Sequence, residues 1–206
     1  MTTIANDTPH GASEPSAWVR RWSHLVKPAG SVLDVACGHG RHMRWFAQLG
    51  HAVTGVDRSA EAIEAVGALG EGILADIENG PWPLMRGGQV RSFDAVVVTN
   101  YLWRPIFPLI AQSIAPGGVL IYETFAAGNE TVGKPSRPDF LLQPGELLRE
   151  FGGEVAGKLA SFRVIAFEDG FLEDSPRFVQ RICAVREETG TESGLVGPLM
   201  PMRYPL

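Results

Sequence analysis

The stretch Val32-Leu33-Asp34-Val35-Ala36-Cys37-Gly38-His39-Gly40-Arg41-His42 decides how this chain is read. An apolar run holding one acidic residue, then small residues, then glycines one residue apart, predicts a buried strand that enters a tight turn and opens a helix. Gly38 and Gly40 lack a Cβ. They reach positive φ at no steric cost and leave room for a ligand against bare backbone, while the first helical turn presents N–H groups without intrahelical partners. The spacing places the strand over Ser31–Ala36 and the helix from about Gly40 to Leu49, with Gly50 just after its end.

Working outward, the same rhythm repeats. His51–Asp57 is an apolar strand ending in an acid 19 positions after Gly38, and Ser59 caps a helix whose inner face is Ala60, Ile63, Ala65, Val66 and Leu69. A short strand, Gly-Ile-Leu-Ala-Asp-Ile, carries Asp76. Residues 78–91 read as a loop with Trp82 and Leu84 tucked against the sheet. Phe93–Val98 is a strand, Pro105–Ala115 a helix, and Val119–Glu123 another strand. Strand-turn-helix units in series predict a doubly wound α/β domain with a parallel sheet and right-handed crossovers. Upstream, Trp18, Val19, Trp22, Leu25 and Val26 fall at helical spacing over Pro15–Val26, with Arg20, Arg21 and Ser23 facing outward.

After Glu123 the period disappears for about twenty residues, from Thr124 to Gln143, and a loop of that length in a compact domain reads as a lid or binding loop. Helix Pro144–Phe151 follows. The strands Val155–Phe167 and Phe178–Val185, joined by the polar stretch 168–177, predict a closing antiparallel hairpin. Domain limits are set at 15–186, with tails at 1–14 and 187–206.

Composition bounds the function. The 206 residues suit one domain, and a net charge of −5 gives no general pull toward phosphate backbones or anionic membranes, so nucleic acid is an unfavoured partner. Two cysteines, Cys37 and Cys183, are too few for a disulfide framework and read as structural thiols of a reducing cytoplasm. No apolar run reaches the roughly 20 residues that cross a bilayer. His39 and His42 lie beside Cys37, but three ligands crowded into a glycine turn would face different ways, and no metal is expected.

A dinucleotide fingerprint needs a third glycine where this chain has Met43. The turn suits instead a ligand with an amino acid end, a ribose and an adenine. Asp57 can accept from both ribose hydroxyls, Asp76 from the adenine amino group, and Asp34 faces the charged amino acid end; all three lie at or near the C-terminal ends of strands, where open α/β sheets bind ligands.

On the residues VLDVACGHG, VTGVD, LADI, FDAVVVTN and PGGVLIYE, taken in order over about 30–185, the chain resembles the class I S-adenosylmethionine-dependent methyltransferases. The GHGRH turn and small size look most like the tellurite-resistance type of small-molecule methyltransferase. The resemblance implies a Rossmann-like fold with S-adenosyl-L-methionine as cofactor. It implies that Ala36, Gly38 and Gly40 contact the methionine part, Asp57 with its neighbour Arg58 the ribose side, and Asp76 with Ile77 the adenine. Asn100 and Tyr101 would border the sulfonium and the acceptor, with Arg104 a further candidate for the acceptor side. Amino-nitrogen methyltransferases of nucleobases or glutamine carry two prolines in the motif at this place; Asn100-Tyr101-Leu102-Trp103 has none, which counts against exocyclic or amide nitrogens.

Methyl transfer from a sulfonium is an in-line displacement, so positioning and water exclusion dominate, and Tyr101, Trp103, Tyr122 and Phe125 are candidates to enclose the charge through cation–π contact. Glu123, Asn129, Lys134, Arg137 and Asp139 lie on or beside the loop, where most charged residues are simply solvated. A small-molecule acceptor is the leading expectation. An RNA or protein methyltransferase using Arg20, Arg21, Arg41 and Arg44 as a basic patch, or a non-catalytic cofactor-binding module, is the alternative; oligomeric state is left open.

Overall fold

Strands covered on both faces must be apolar on both faces, and the central strands here obey that rule. The computed structural model describes residues 14–153, 161–187 and 203–206. Strands β1 (Ser31–Val35), β2 (Ala52–Asp57), β3 (Glu71–Leu74), β4 (Met85–Arg86), β5 (Gln89–Val90), β6 (Phe93–Thr99), β7 (Ile114–Phe125), β8 (Phe162–Leu172) and β9 (Arg177–Arg186) alternate with helices α1 (Ala17–Trp22), α2 (Arg41–Gln48), α3 (Ala60–Val66), α4 (Phe107–Gln112) and α5 (Glu146–Phe151). Seven strands form one sheet in the order β3-β2-β1-β6-β7-β9-β8, and β4 pairs with β5 in a separate small hairpin. The strands β3, β2, β1, β6 and β7 run parallel, and β9 is antiparallel to both of its neighbours. The predicted doubly wound sheet closed by an antiparallel pair is the fold observed.

One face buries Val32, Val53, Ala95, Val97 and Ile121 under Trp18, Val19 and Trp22 of α1, Met43 and Phe46 of α2 and Val66 of α3. The other face buries Leu33, Val35, Val96, Val98, Leu120 and Tyr122 under Phe107 and Ile110 of α4 and Leu147 and Phe151 of α5. The strand order reverses between β1 and β6, since β2 and β3 are added on one side of β1 and β6 and β7 on the other, all parallel. The crevice at such a reversal, outside the C-terminal strand ends, is the ligand position of this architecture.

Several expectations are corrected. Ser23 is buried, its hydroxyl donating to the Arg20 carbonyl at 3.0 Å, and α1 packs on the sheet, with Trp18 Nε1 donating to Ile182 O at 3.3 Å. Of the expected inner face of α3, Val66 is buried and Ile63 and Leu69 pack against the core as read, but Ala60 and Ala65 are exposed and Ala62 is buried instead. The strand after α3 ends at Leu74, two residues short of Asp76. The loop 78–91 holds β4 and β5, although Trp82 and Leu84 are buried as read. The polar stretch after Phe167 is not a connector, because β8 continues to Leu172; Glu168 lies opposite Arg181 on β9 and pairs with it. The predicted start of that strand at 155–160 lies outside the described residues, as do 1–13 and 188–202 of the tails. Tyr204 packs against the α1 side of the core. No helix among the described residues is long and apolar enough to cross a membrane.

Met43 occupies the place of a third glycine, and the space for helix-strand contact comes from the strand instead. A Cβ on Gly55 of β2 would sit 2.3 Å from Met43 Sδ and 2.7 Å from Cys37 Sγ. Gly55→Ala is therefore expected to cost about 1–3 kcal/mol by overpacking, read as a lower urea midpoint. Met43→Ala should cost less in the Gly55→Ala background than in the parent chain, because the new methyl occupies part of the space that the methionine leaves.

Candidate functional site

The glycine turn is built from backbone in the left-handed region, with φ of +55° at Ala36, +51° at Gly38 and +74° at Gly40. The non-glycine residue Ala36 in that region marks a locally strained position of the kind found at ligand sites. The turn is pinned on three sides. Cys37 N–H donates to Val56 O at 3.0 Å, Gly40 N–H to Cys37 O at 3.0 Å, and Gly38 N–H to Asp57 Oδ2 at 2.9 Å. Gly40 is a packing glycine as well, since a Cβ there would meet Val66 Cγ1 at 2.4 Å. A Cβ on Gly38 would meet nothing within 4 Å, so the turn presents open space there.

Asp57 accepts from Gly38 N–H with one oxygen and from Ser59 N–H, at 2.9 Å, with the other. Each carboxylate oxygen has two lone-pair sites, so one on each remains for a vicinal diol. Asp76 accepts from the N–H groups of Glu78 and Asn79 and from Asn79 Nδ2 at 2.9–3.1 Å. These hydrogen bonds, the Asn79 amide first among them, hold its carboxyl below the usual range and keep it ionised.

Between these acids lies a cleft of about 240 Å³ lined by Ala36, Asp57, Arg58, Asp76, Ile77 and Tyr101, together with Ala75, Glu78 and Phe140. It brings together six of the candidates named from the sequence. Phe140, from the loop after β7, and Glu78 were not among them; the signals were an aromatic inside a polar loop and an acid next to Ile77. The Tyr101 hydroxyl is buried without a hydrogen-bond partner, and burial followed by the Glu78 charge pushes its pKa up, so it stays protonated.

Other candidates stand apart from the cleft. Asn100 is exposed at φ +54°, its N–H donating to Glu123 O at 3.0 Å. Arg104 is occupied by Glu146, at 2.6 and 2.9 Å, and by the carbonyls of Asp139 and Leu141. Tyr122 is fully buried and donates to Tyr101 O at 2.9 Å, so it cannot enclose a ligand. Asn129 is buried and structural, bridging Pro135 O and Phe178 N–H. Glu123 is buried rather than solvated, facing Arg177 and Arg181 at 3.3 Å each and accepting from Ser16 Oγ at 3.1 Å.

Asp34 lies behind the turn, with Oδ2 lacking a hydrogen-bond partner and 3.9 Å from His42 Nδ1. Burial is the main cause that raises its carboxyl pKa to about 7, against an opposing pull from Arg41. His42 is buried, accepting from Ser16 N–H through Nε2 at 3.2 Å. Burial, then the Arg41 charge, depresses its pKa to about 3. Cys37 and Cys183 are buried thiols; burial pushes Cys37 up and Cys183 up to about 12. Among the described residues no group of three or more His, Cys, Asp or Glu could hold a metal ion.

The two buried groups oppose each other in pH. A raised Asp34 stabilises the fold fully below about pH 4 and loses that contribution as pH rises through about 7. A depressed His42 stabilises above about pH 6.5 and loses its contribution as pH falls toward about 3. Asp34→Asn should therefore lose stability, and His42→Gln gain it, on going from pH 7 to pH 4, each by roughly 1–3 kcal/mol relative to the parent's change. Urea unfolding across that range measures both slopes.

Residues 32–118 match the methyltransferase-domain family model. Among solved structures the chain is similar to TehB from Haemophilus influenzae, with 18% identity, a TM-score of 0.61, and coverage of 84% of this chain but only 63% of TehB. It is similar to a TehB-like S-adenosylmethionine-dependent methyltransferase from Corynebacterium glutamicum (15% identity, 85% and 90% coverage, TM-score 0.56). A third, an S-adenosylmethionine-dependent methyltransferase from Mesorhizobium loti, shares 17% identity over 83% of this chain and 99% of its own, with a TM-score of 0.59. No curated protein matches the sequence. The glycine turn and the acids that edge the cleft lie within the segment that matches the methyltransferase-domain model, and the chain as a whole resembles S-adenosylmethionine-dependent methyltransferases such as TehB in fold.

Proposed function

We propose that this chain transfers the methyl group of S-adenosyl-L-methionine to a small-molecule acceptor by in-line displacement, in a pocket covered by the loop 124–143. The observation that carries the reading is the cleft itself: Asp57, Asp76 and Ile77 line it, and Phe140 reaches it from that loop. When bound, the cofactor supplies a methyl carbon activated by the positive sulfur.

The residues present fit it. Asp57 offers one free lone pair on each oxygen to the ribose hydroxyls, Ile77 an apolar wall and Asp76 an ionised acceptor for the adenine end. Arg58 lines the same cleft beside Asp57. Open space at Gly38 admits the methionine part against backbone, with Ala36 between it and the cleft. Gly40 and Asp34, expected at the methionine part, do not line the cleft: Gly40 packs on Val66 of α3 and Asp34 is buried. Tyr101 remains protonated and acts by shape, not as a base. Asn100 borders the acceptor side through its backbone position at the end of β6.

A macromolecular acceptor finds less support. Arg21, from the basic set once considered, pairs with Glu168 and stacks on Trp22 at 4.7 Å, and Arg41 turns toward Thr99. The glycopeptide N-methyltransferase MtfA, 18% identical to this chain, is a fold neighbour crystallised with S-adenosyl-L-homocysteine, so peptide-like acceptors belong in the test.

Calorimetry with S-adenosylhomocysteine is expected to show binding that NADH does not displace and that Asp57→Ala weakens at least about tenfold, roughly 1.4 kcal/mol or more. A labelled-methyl screen over small acids, amines, thiols, peptides and total RNA then reads the acceptor. Label confined to RNA would overturn the small-molecule assignment.

A further inference from the structure

Arg104 has the position of an acceptor-side residue but makes different contacts. Its guanidinium forms a two-point pair with Glu146, Nε to Oε1 at 2.6 Å and Nη2 to Oε2 at 2.9 Å. Nη1 donates to Asp139 O and Nη2 to Leu141 O, both at 2.9 Å. Those carbonyls belong to the residues on either side of Phe140. The same Glu146 carboxylate accepts from Gln143 N–H at 2.7 Å, so one buried acid ties both the arginine and the end of the loop.

The segment so held is divided in its burial. Leu141 and Leu142 are 2% and 0% exposed, whereas Phe140 is 37% exposed and lines the cleft with Asp57, Asp76 and Ile77. About a third of Phe140 is open to water, and because the residue lines the cleft its apolar surface is available to something that enters it. Arg137 lies over the same ring at 5.2 Å and pairs with Asp139.

We propose that Phe140 is a cofactor-contacting residue that covers the adenosine end of the cleft, and that Arg104 and Glu146 are positioning residues that hold it there by fixing the carbonyls flanking it. This rests on the reading of the cleft as the seat of S-adenosylmethionine. An aromatic face is a suitable cover for an adenine, because every base offers a π-surface. The brace requires arginine: three nitrogens in a rigid plane reach a carboxylate and two carbonyls at once, which a lysine ammonium on a flexible stem does not reproduce.

The test is S-adenosylhomocysteine calorimetry on the parent chain, Phe140→Ala, Phe140→Tyr, Arg104→Lys and the Phe140→Ala/Arg104→Lys double variant, with thermal midpoints recorded for each. Phe140→Ala is expected to weaken binding about tenfold, Phe140→Tyr to hold it within about twofold, and Arg104→Lys to weaken it about three- to tenfold. In the Phe140→Ala background the Arg104→Lys effect should vanish, since the arginine acts through that ring. A purely structural staple would shift the midpoint without this coupling. Phe140 is exposed, so its alanine variant folds even if an Arg104 variant does not. Parent-like binding by Phe140→Ala, or an undiminished Arg104→Lys effect in its absence, overturns the proposal and leaves the cofactor reading intact. Failure of the parent chain to bind overturns both.

Discussion

The hydrogen bond from the Gly38 N–H to the Asp57 carboxylate, 2.9 Å long, is the contact on which the site depends. It joins the turn after β1 to the end of β2, and the other oxygen of the same carboxylate fixes Ser59, whose hydroxyl accepts from Ala62 N–H to cap α3. One acid thus sets the turn, the start of the next helix and one edge of the cleft. The arrangement requires positive φ at Ala36, Gly38 and Gly40, and close approach of Cys37 and Met43 to Gly55. A parallel sheet supplies these constraints together, because the carboxyl ends of β1 and β2 lie side by side with their loops on one rim.

What was legible in the sequence was local. Glycines one residue apart, an acid ending an apolar strand, and Ser59 before a helical run all express rules that operate within a few residues. The sheet followed from their repetition. Gly55 could have been read as well, since a glycine inside an apolar strand marks a close backbone approach. Together with Met43 it shows that helix-strand spacing can be made from either partner: the methionine fills the volume that the strand glycine leaves open.

What was not legible depended on partners distant in the chain. Glu168 and Asp169 looked like turn residues by composition, yet they belong to β8, where Arg181 pairs with the first and the Gly145 N–H donates to the second. Glu123 and Asn129 looked solvated and are buried, the first by arginines from β9 and the second by Pro135 O and Phe178 N–H. Phe140 carried no period at all. Its placement is imposed by Arg104, 36 positions upstream, and by Glu146. Such residues are polar or isolated because they serve tertiary contacts, and no local pattern reports those.

The buried polar groups around His42 show how the rim is kept ordered without the cleft being filled. Glu123 is nearly inaccessible, so its charge is tolerated only with compensation, and it has Arg177, Arg181 and the Ser16 hydroxyl. Ser16 also donates its N–H to His42, which links the start of α1 to both α2 and the end of β7. A neutral imidazole is the form that can accept there, and burial together with Arg41 secures it. Asp34, on the other side of that ring, avoids an uncompensated buried charge through a pKa raised to about 7. The two thereby keep opposite proton inventories within 3.9 Å of each other. The glycine turn rests on a support whose net charge changes little between their pKa values except through Asp34 itself, and the backbone above it is free to face a ligand.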